Sequence, residues 1–328
     1  MKKGITKILS ACVFAFVVFL AAGTQSKAAV NMGVKQTGAG SSYVDLAWDA
    51  QLGAGHYHTQ FSQDGKNWID MDNSSSPSES VYNLTQGASY YARVVAYKGS
   101  HYTGTHVMIG VSETAIVSTK PTEVSGLTQT AAGVNSVSMS WNASAGAASY
   151  VIYGYINYNW TQIGTSATNS ATITGVAATT STRFSVAAVK NVTGGTVTGD
   201  QCSGVEMKAI PIKVSRIAMQ YYWDSLKEAK YIWTDVNNAD GYQYEVKSAN
   251  GKKTYFRATS TNSYTYVKPF PRGIFVKARV RAYVTVGNKV YYGAWSPYTY
   301  HASSKKVTAK RSSNGKKIYL KWKNCLLY

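Results

Sequence analysis

One short pattern of apolar and polar positions recurs along the chain. Residues 44–57 read VDLAWDAQLGAGHY, in which an alternating run ends at a Trp, a Gly-rich stretch follows, and a Tyr opens the next run nine residues after the Trp. The pattern is found three times, with the pairs Trp48 and Tyr57, Trp141 and Tyr150, and Trp233 and Tyr242. Successive Trp residues lie 93 and 92 residues apart. A fixed period with a fixed internal offset predicts a row of repeated structural units.

Each unit has the pattern of an antiparallel β-sandwich. Short runs rich in Val, Thr, Tyr and Ile alternate with clusters of Gly, Ser and Asn, and outside the N-terminal leader no stretch has an extended helical period. This pattern predicts strands every 8–12 residues. Late in the first unit, SYYARVVAYK (89–98) places Tyr90, Ala92, Val94 and Ala96 on one face of a strand.

These features resemble fibronectin type III domains. The resemblance rests on a Trp that ends one strand, a Tyr that opens the next, and Leu84 six residues before Tyr90. It implies an all-β fold of tandem seven-stranded immunoglobulin-like (fibronectin type III-like) sandwiches, used mostly for binding, adhesion or spacing and rarely for catalysis. Thr182 and Val276 stand where the second and third units would carry the equivalent of Tyr90. A tyrosine-corner hydrogen bond is therefore expected in the first unit.

The repeat divides the chain into units at 30–118, 119–211 and 212–303, followed by a truncated fourth start at 304–328 that carries Trp322. We expect such a chain to be a fragment of a longer modular protein. Residues 1–29 combine early lysines, an apolar run of about 15 residues and small residues near the end, which indicates a secretory signal peptide. The run is shorter than the ~20 residues of a membrane-spanning helix. Leader and composition are typical of a secreted or cell-surface bacterial protein.

Charge and cysteine content indicate the kind of partner and how the units are stabilised. Residues 30–211 carry 8 Lys and Arg against 10 Asp and Glu, whereas residues 212–328 carry 22 against 5. Such an asymmetry suggests a polyanionic partner for the C-terminal part. Only Cys202 and Cys325 follow the leader, so the units are expected to rely on hydrophobic cores and not on disulfides.

The sharpest candidate site is a basic stripe in the third unit. If Val276, Ala278, Val280 and Ala282 face the core, then Lys277, Arg279 and Arg281 face outward, and the adjacent strand adds Lys247. Stacked cations repel one another, and an anionic envelope polymer or acidic polysaccharide would relieve the repulsion. The alternative is a solvated basic face that serves solubility. Nucleic acid is not favoured, because no aromatic-plus-basic RNA motif is present.

A second candidate surface is aromatic. In YVIYGYINYNW (150–160), Tyr153 and Tyr155 face away from the core if Tyr150 and Ile152 face inward. Such a row could stack on sugar rings or dock a protein. Cross-strand aromatic packing is the alternative, and it is favoured.

Signals for an enzyme are weak. The sequence contains no nucleophile elbow, zinc-protease motif, phosphate loop or dinucleotide fingerprint. His56 and His58 share the side of a strand opposite Tyr57, but they are interpreted as exposed turn histidines because no further metal ligand can be named. Asp64, Asp70 and Asp72 lack the spacing of a calcium loop. We expect no catalytic residue, no cofactor and no metal.

The leading functional hypothesis is therefore a secreted, non-enzymatic region for binding, adhesion or spacing, with the basic third unit as the contact surface. The partner would be an anionic polymer, a polysaccharide or another surface protein. Two alternatives remain: the accessory carbohydrate-binding or linker part of a secreted carbohydrate-active enzyme, and a spacer without a ligand.

Overall fold

The computed structural model describes residues 29–99, 106–223, 225–270, 273–302, 308–313 and 317–321. All regular structure in these residues is β. The segment predicted as a signal peptide lies outside them except for Ala29, and so does Trp322.

The first sandwich consists of two antiparallel sheets. Its strands are β1 (Lys35–Ala39), β2 (Val44–Ala47), β3 (His56–Ser62), β4 (Ile69–Ser74), β5 (Ser78–Val81), β6 (Ser89–Lys98), β7 (Val107–Val111) and β8 (Ala115–Ser118). One sheet has the order β1-β2-β5, and the other has the order β4-β3-β6-β7, with β8 also paired to β6. Because β7 and β8 both pair with β6, they form two halves of one interrupted seventh strand.

The second sandwich repeats this topology. Its strands are β9 (Thr128–Gly133), β10 (Ser136–Ser140), β11 (Ser149–Ile156), β12 (Asn159–Ser166), β13 (Ser170–Thr174), β14 (Thr182–Val192), β15 (Gly195–Thr198) and β16 (Val205–Met207). The sheets have the orders β13-β10-β9 and β12-β11-β14-β15, with β16 also on β14.

The third sandwich repeats it again. Its strands are β17 (Ile217–Trp223), β18 (Glu228–Trp233), β19 (Gly241–Ser248), β20 (Thr254–Ser260), β21 (Tyr264–Val267), β22 (Phe275–Val286), β23 (Lys289–Tyr292) and β24 (Thr299–Ala302). The sheets have the orders β17-β18-β21 and β20-β19-β22-β23, with β24 also on β22. Beyond it, β25 (Thr308–Arg311) and β26 (Ile318–Lys321) form an antiparallel hairpin.

The molecule is thus a series of immunoglobulin-like, fibronectin type III-like sandwiches. Each sandwich has its own cluster of buried apolar residues, and these clusters span 32–117, 124–209 and 214–282 without sharing a member. The cores arise from the two-residue alternation of the strands, which sends every second side chain between the sheets. In β22, for example, Val276, Ala278 and Val280 are fully buried while the residues between them are half-buried.

A contact between a Trp and a Tyr explains the nine-residue offset of the repeat. The indole and phenol rings lie 5.4 Å apart for Trp48 and Tyr57, and the equivalent distances are 5.3 and 5.5 Å in the second and third sandwiches. Each Tyr hydroxyl also accepts a hydrogen bond from the backbone N–H three residues after the Trp. The donors are Gln51, Ser144 and Val236, at 3.0, 3.0 and 2.8 Å. The offset therefore fixes the turn between two strands from different sheets.

The tyrosine corner lies in the first sandwich, as the resemblance implies. The hydroxyl of Tyr90 accepts a hydrogen bond from the N–H of Thr85 at 3.0 Å, directly after the buried Leu84. In the other two sandwiches Thr182 and Val276 occupy this position of the strand, and their cores close without a phenol there.

Adjoining sandwiches meet through lysine side chains and through one close approach of the backbone. The Lys190 ammonium donates to the carbonyl of Gly87, and Lys208 forms an ion pair with Asp240 at 2.8 Å. At Gly293 an added Cβ would lie 2.6 Å from the carbonyl oxygen of Pro211, so only glycine fits at this approach without a shift of the junction.

We predict that Tyr150→Phe destabilises the protein by about 1–2 kcal/mol, because the part-buried N–H of Ser144 loses its acceptor. Tyr158→Phe is the matched control, since Tyr158 is 89 % exposed at the tip of the next hairpin, and it should change stability by less than about 0.5 kcal/mol. Denaturant unfolding midpoints measure both changes. Equal midpoints for Tyr150→Phe and the parent would refute the role of this hydrogen bond.

Candidate functional site

The basic residues of the third sandwich lie side by side on one sheet. The register places Lys247 opposite Lys277, Glu245 opposite Arg279, and Gln243 opposite Arg281 across β19 and β22. The side chains of Lys277, Arg279 and Arg281 alternate with the buried residues of β22 and are half-buried. The sequence therefore predicts the face of the sheet on which these cations lie, but not how much of each side chain is covered.

Aromatic rings are interleaved with these cations. Lys277 and Arg279 lie 4.7 and 4.8 Å from the centre of the Tyr298 ring. Arg279 and Arg281 lie 4.3 and 4.5 Å from the centre of the Trp295 indole. These are cation–π distances. Arg281 also lies 3.8 Å from the centre of the Tyr292 ring. We call these three cations and three aromatic residues the cation–aromatic ladder.

Glu245 is the counter-ion at the centre of the ladder. Its side chain has no exposed surface, and its carboxylate pairs with Arg257 at 2.5 Å, Arg279 at 2.6 Å and Lys247 at 3.1 Å. Burial alone would raise the pKa of this carboxyl, but the hydrogen bonds from Arg257, Lys247 and Arg279 outweigh it and lower the pKa to about 2. One buried negative charge therefore holds three cations from three strands.

The binding of an external anion by Lys247, Lys277, Arg279 and Arg281 remains a prediction, but relief of the repulsion among these cations does not require one. Their repulsion is relieved within the sandwich, by Glu245 and by the faces of Trp295 and Tyr298. Sequence reasoning missed Glu245, although its position two residues before Lys247 places both on the same face of β19. It also missed Trp295 and Tyr298. These residues lie in the segment between β23 and β24, and they reach the cations because both strands pair with β22.

The second predicted surface is a small aromatic contact in the second sandwich. Tyr155 is 40 % exposed and lies opposite Trp160 in the β11–β12 hairpin, with ring centres 5.3 Å apart. Tyr153 is half-buried on the same face. The pair has the geometry of cross-strand packing, and its use as a binding surface remains a prediction.

The histidines of the first sandwich differ from their expected environment. His56 is only 2 % exposed, donates or accepts through Nδ1 with the carbonyl of Gly99 at 2.9 Å, and stacks on Tyr97. Its Nε2 lies 3.1 Å from Nδ1 of His106, and the ring of His58 lies 5.4 Å from that of His56. The interpretation as exposed turn histidines was therefore wrong for His56, because β3 brings it under the end of β6.

The carboxylates of the first sandwich have local structural roles. Asp64 accepts hydrogen bonds from the backbone N–H groups of Asn67 and Lys66, both at 2.8 Å, and from the Ser62 hydroxyl at 2.9 Å. These bonds hold the pKa of Asp64 well below its usual range. Asp70 accepts from Gln60 at 2.6 Å. Within the ranges that the structure describes, no three His, Cys, Asp or Glu side chains are arranged to hold a metal.

The described surface has half-open hollows. One, of about 270 Å³, lies beside the β17–β18 pair and is lined by Arg216, Ala218, Ile232, Trp233 and Thr234. No helix within the described ranges has the length and apolarity needed to cross a bilayer.

Comparison with known proteins finds similar solved structures. No family model matches the chain, and neither does any curated protein. The chain is similar to the FN1-FN3 domains of chicken CNTN1 in a crystal structure, at 15 % identity and a TM-score of 0.34, over 83 % of this chain and 97 % of that one. The strand order and the repeated Trp–Tyr contacts define the fold.

We predict that Glu245→Gln destabilises the third sandwich by about 3 kcal/mol at pH 7, because three cations lose a buried counter-ion. The pKa of Glu245 is lower in the folded state than its ordinary 4.5. Its stabilising effect is therefore present above pH 4.5 and is lost as the pH falls towards 2. Parent and variant should become equally stable near pH 2, as measured by denaturant unfolding midpoints at pH 7 and pH 2.

Glu228→Gln, on the other sheet of the same sandwich, is the control and should change stability by less than about 0.5 kcal/mol. A stability difference between parent and Glu245→Gln that is unchanged from pH 7 to pH 2 would contradict the proposed role of the Glu245 charge.

Proposed function

We propose that this chain is a secreted or cell-surface, non-enzymatic modular region that serves binding, adhesion or spacing. In this proposal, residues 30–118, 119–211 and 212–303 are three separate units, and the third contacts an anionic polymer of the cell envelope. The three unshared cores support the modular part. The leader pattern at 1–29 supports secretion.

The observation that carries the choice of an anionic partner is the placement of charge. Residues 212–328 carry 22 Lys and Arg against 5 Asp and Glu, while the preceding 182 residues are nearly neutral. The cations of the ladder are already engaged by Glu245 and by aromatic rings. In this proposal, other cations therefore contact the anionic polymer. Exposed lysines outside the ladder are available on the β19–β20 turn and on the terminal hairpin, namely Lys252, Lys253, Lys310 and Lys317.

A second function, the carbohydrate-binding accessory part of a secreted enzyme, is favoured by exposed aromatic side chains. On the β11–β12 hairpin these are Tyr155, Tyr158 and Trp160, which are 40, 89 and 37 % exposed. Aromatic rings bind flat apolar faces well, and the faces of sugar rings are of this kind. Retention on an insoluble polysaccharide that is lost with Tyr153→Ala and Tyr155→Ala would favour this second function.

We predict that the full chain is retained on purified bacterial cell walls at low salt. Retention should weaken by on the order of tenfold between 50 and 200 mM salt, as expected when several cations release counter-ions from a polyanion. A variant with the four exposed lysines of the third unit and hairpin changed to Gln should lose most of this retention.

The matched control changes four exposed cations of the first two units to Gln, namely Lys35, Lys66, Lys98 and Arg183. It removes the same charge and should bind walls like the parent. If the parent is not retained on the walls at 50 mM salt, the anionic-polymer function is ruled out. If both variants lose retention equally, the third unit is not the contact surface.

A further inference from the structure

The outer face of the β17–β18–β21 sheet carries a cluster of large aromatic side chains around one cation. It consists of Tyr221 and Trp223 on β17, Lys230 on β18, and Tyr264 and Tyr266 on β21, and we call it the aromatic face. Trp223, Tyr264 and Tyr266 are 52, 41 and 48 % exposed. This face lies on the sheet opposite the cation–aromatic ladder.

The five side chains form a continuous platform. The rings of Tyr221 and Trp223 lie 4.8 Å apart, and those of Tyr264 and Tyr266 lie 6.0 Å apart. The Lys230 ammonium lies 5.9, 5.1 and 5.6 Å from the ring centres of Tyr221, Tyr264 and Tyr266. Rings and polar groups are therefore presented together on one open surface.

The other two sandwiches show that the fold does not need these residues. In each sandwich, the residue three positions before the buried Trp lies on the central strand of the smaller sheet. It pairs with one residue on each neighbouring strand, so that three side chains form a row across the sheet. In the third sandwich this row is Tyr221–Lys230–Tyr266. In the first it is Gly38–Asp45–Ser80, and in the second it is Ala131–Ser138–Thr172.

The next position along the sheet shows the same contrast. Tyr264 pairs with Ile232, where the first sandwich has Ser78 opposite Ala47 and the second has Ser170 opposite Ser140. Small residues therefore suffice at these positions in the same fold. Large exposed aromatic side chains in their place indicate a surface that binds something.

The chemistry of the face distinguishes among binding partners. The centre of a protein–protein interface is depleted of lysine, whereas Lys230 is at the centre of this face. A single-stranded nucleic acid needs a groove of positive charge along its backbone, whereas this face combines Lys230 with the nearby Glu228. An open platform of rings with hydroxyl groups suits a sugar chain, whose C–H faces pack on rings and whose hydroxyls accept and donate hydrogen bonds.

Lys230 specifies the kind of sugar chain. Its ammonium contacts aromatic rings, and within the described part of the third sandwich no carboxylate lies at ion-pair distance from it. A carboxylate on a sugar would supply the missing negative charge. The half-open hollow lined by Arg216, Ala218 and Ile232 adjoins the same face and would extend the contact.

We propose that the aromatic face is a binding site for an acidic polysaccharide, whose sugar rings stack on Tyr221, Trp223, Tyr264 and Tyr266 and whose carboxylates meet Lys230. This inference rests on the proposed contact with an anionic envelope polymer and places the specific part of that contact on this face. The exposed lysines then supply attraction without specificity.

The test uses substitutions taken from the other sandwiches, so that each new residue is one that this fold already carries there. Tyr221→Ala with Tyr266→Thr gives the two outer residues of the equivalent row in the second sandwich, and Lys230→Ser separately gives its central residue and removes the cation. The full chain is titrated with polygalacturonate, alginate and hyaluronan, with fully methyl-esterified polygalacturonate as a neutral sugar chain and polyglutamate as an anion without sugar.

The parent should bind at least one of the three acidic polysaccharides, and the double variant should bind it at least tenfold more weakly while its weak binding to polyglutamate is unchanged. Lys230→Ser should weaken binding to the acidic chain and leave binding to the neutral ester unchanged. The control Tyr300→Ser removes a ring that is 54 % exposed on the other sheet, and it should bind like the parent.

Absence of binding to all three acidic polysaccharides, or equal affinities of the double variant and the parent, would overturn the assignment of this face. The anionic-polymer function would still stand in that case if wall retention and its loss in the four-lysine variant persist. Unfolding midpoints of the variants that match the parent exclude loss of folding as the cause of weaker binding.

Discussion

The architecture depends on one contact that is made three times, between a Trp that ends the second strand of a sandwich and a Tyr that opens the third. The indole lies between the sheets at 3–6 % exposure, and the Tyr ring meets it at about 5.4 Å in each copy. The Tyr hydroxyl also accepts a hydrogen bond from the turn between them. Burial of an indole of about 200 Å² is worth several kcal/mol. The contact therefore joins the two sheets and fixes the chain path from one to the other.

Once each core is closed in this way, the outer faces of the sheets are free to vary. The first two sandwiches fill the outer row of the smaller sheet with Gly, Ala, Asp, Ser and Thr. The third fills it with Tyr and Lys, and on its larger sheet it builds the cation–aromatic ladder around Glu245. Repetition of the core with variation of the faces is the pattern expected when one unit of a modular protein carries a contact that its neighbours lack.

The parts of the fold that could be predicted from the sequence are those encoded by local alternation. The Trp–Tyr offset and the alternation in 276–282 identify the core and the face that holds Lys277, Arg279 and Arg281, because the strand period depends only on neighbouring residues. Charge pairing across strands could not be predicted in the same way. Glu245 and Arg279 are 34 residues apart in the chain. Their pairing can therefore be recognised only when the register of β19 and β22 is known.

The aromatic face was missed for a related reason. The β17 strand shifts register between Met219 and Tyr221, and this irregularity places Tyr221 and Trp223 on the outer face, which simple alternation from Ile217 does not predict for either residue. The burial of His56 likewise depends on the end of a distant strand. Sequence periodicity therefore identified the repeated core, whereas the surfaces that differ between the sandwiches required the pairing of strands.

Hydrogen exchange of the full chain carrying Trp233→Ala shows whether each sandwich is closed by its own Trp–Tyr contact. Loss of this indole should cost about 3–5 kcal/mol. Amides in β17–β24 should lose protection while those in β1–β16 keep the protection of the parent. Loss of protection that spreads equally through β1–β16, or unchanged protection in β17–β24, would contradict separate closure of the three sandwiches.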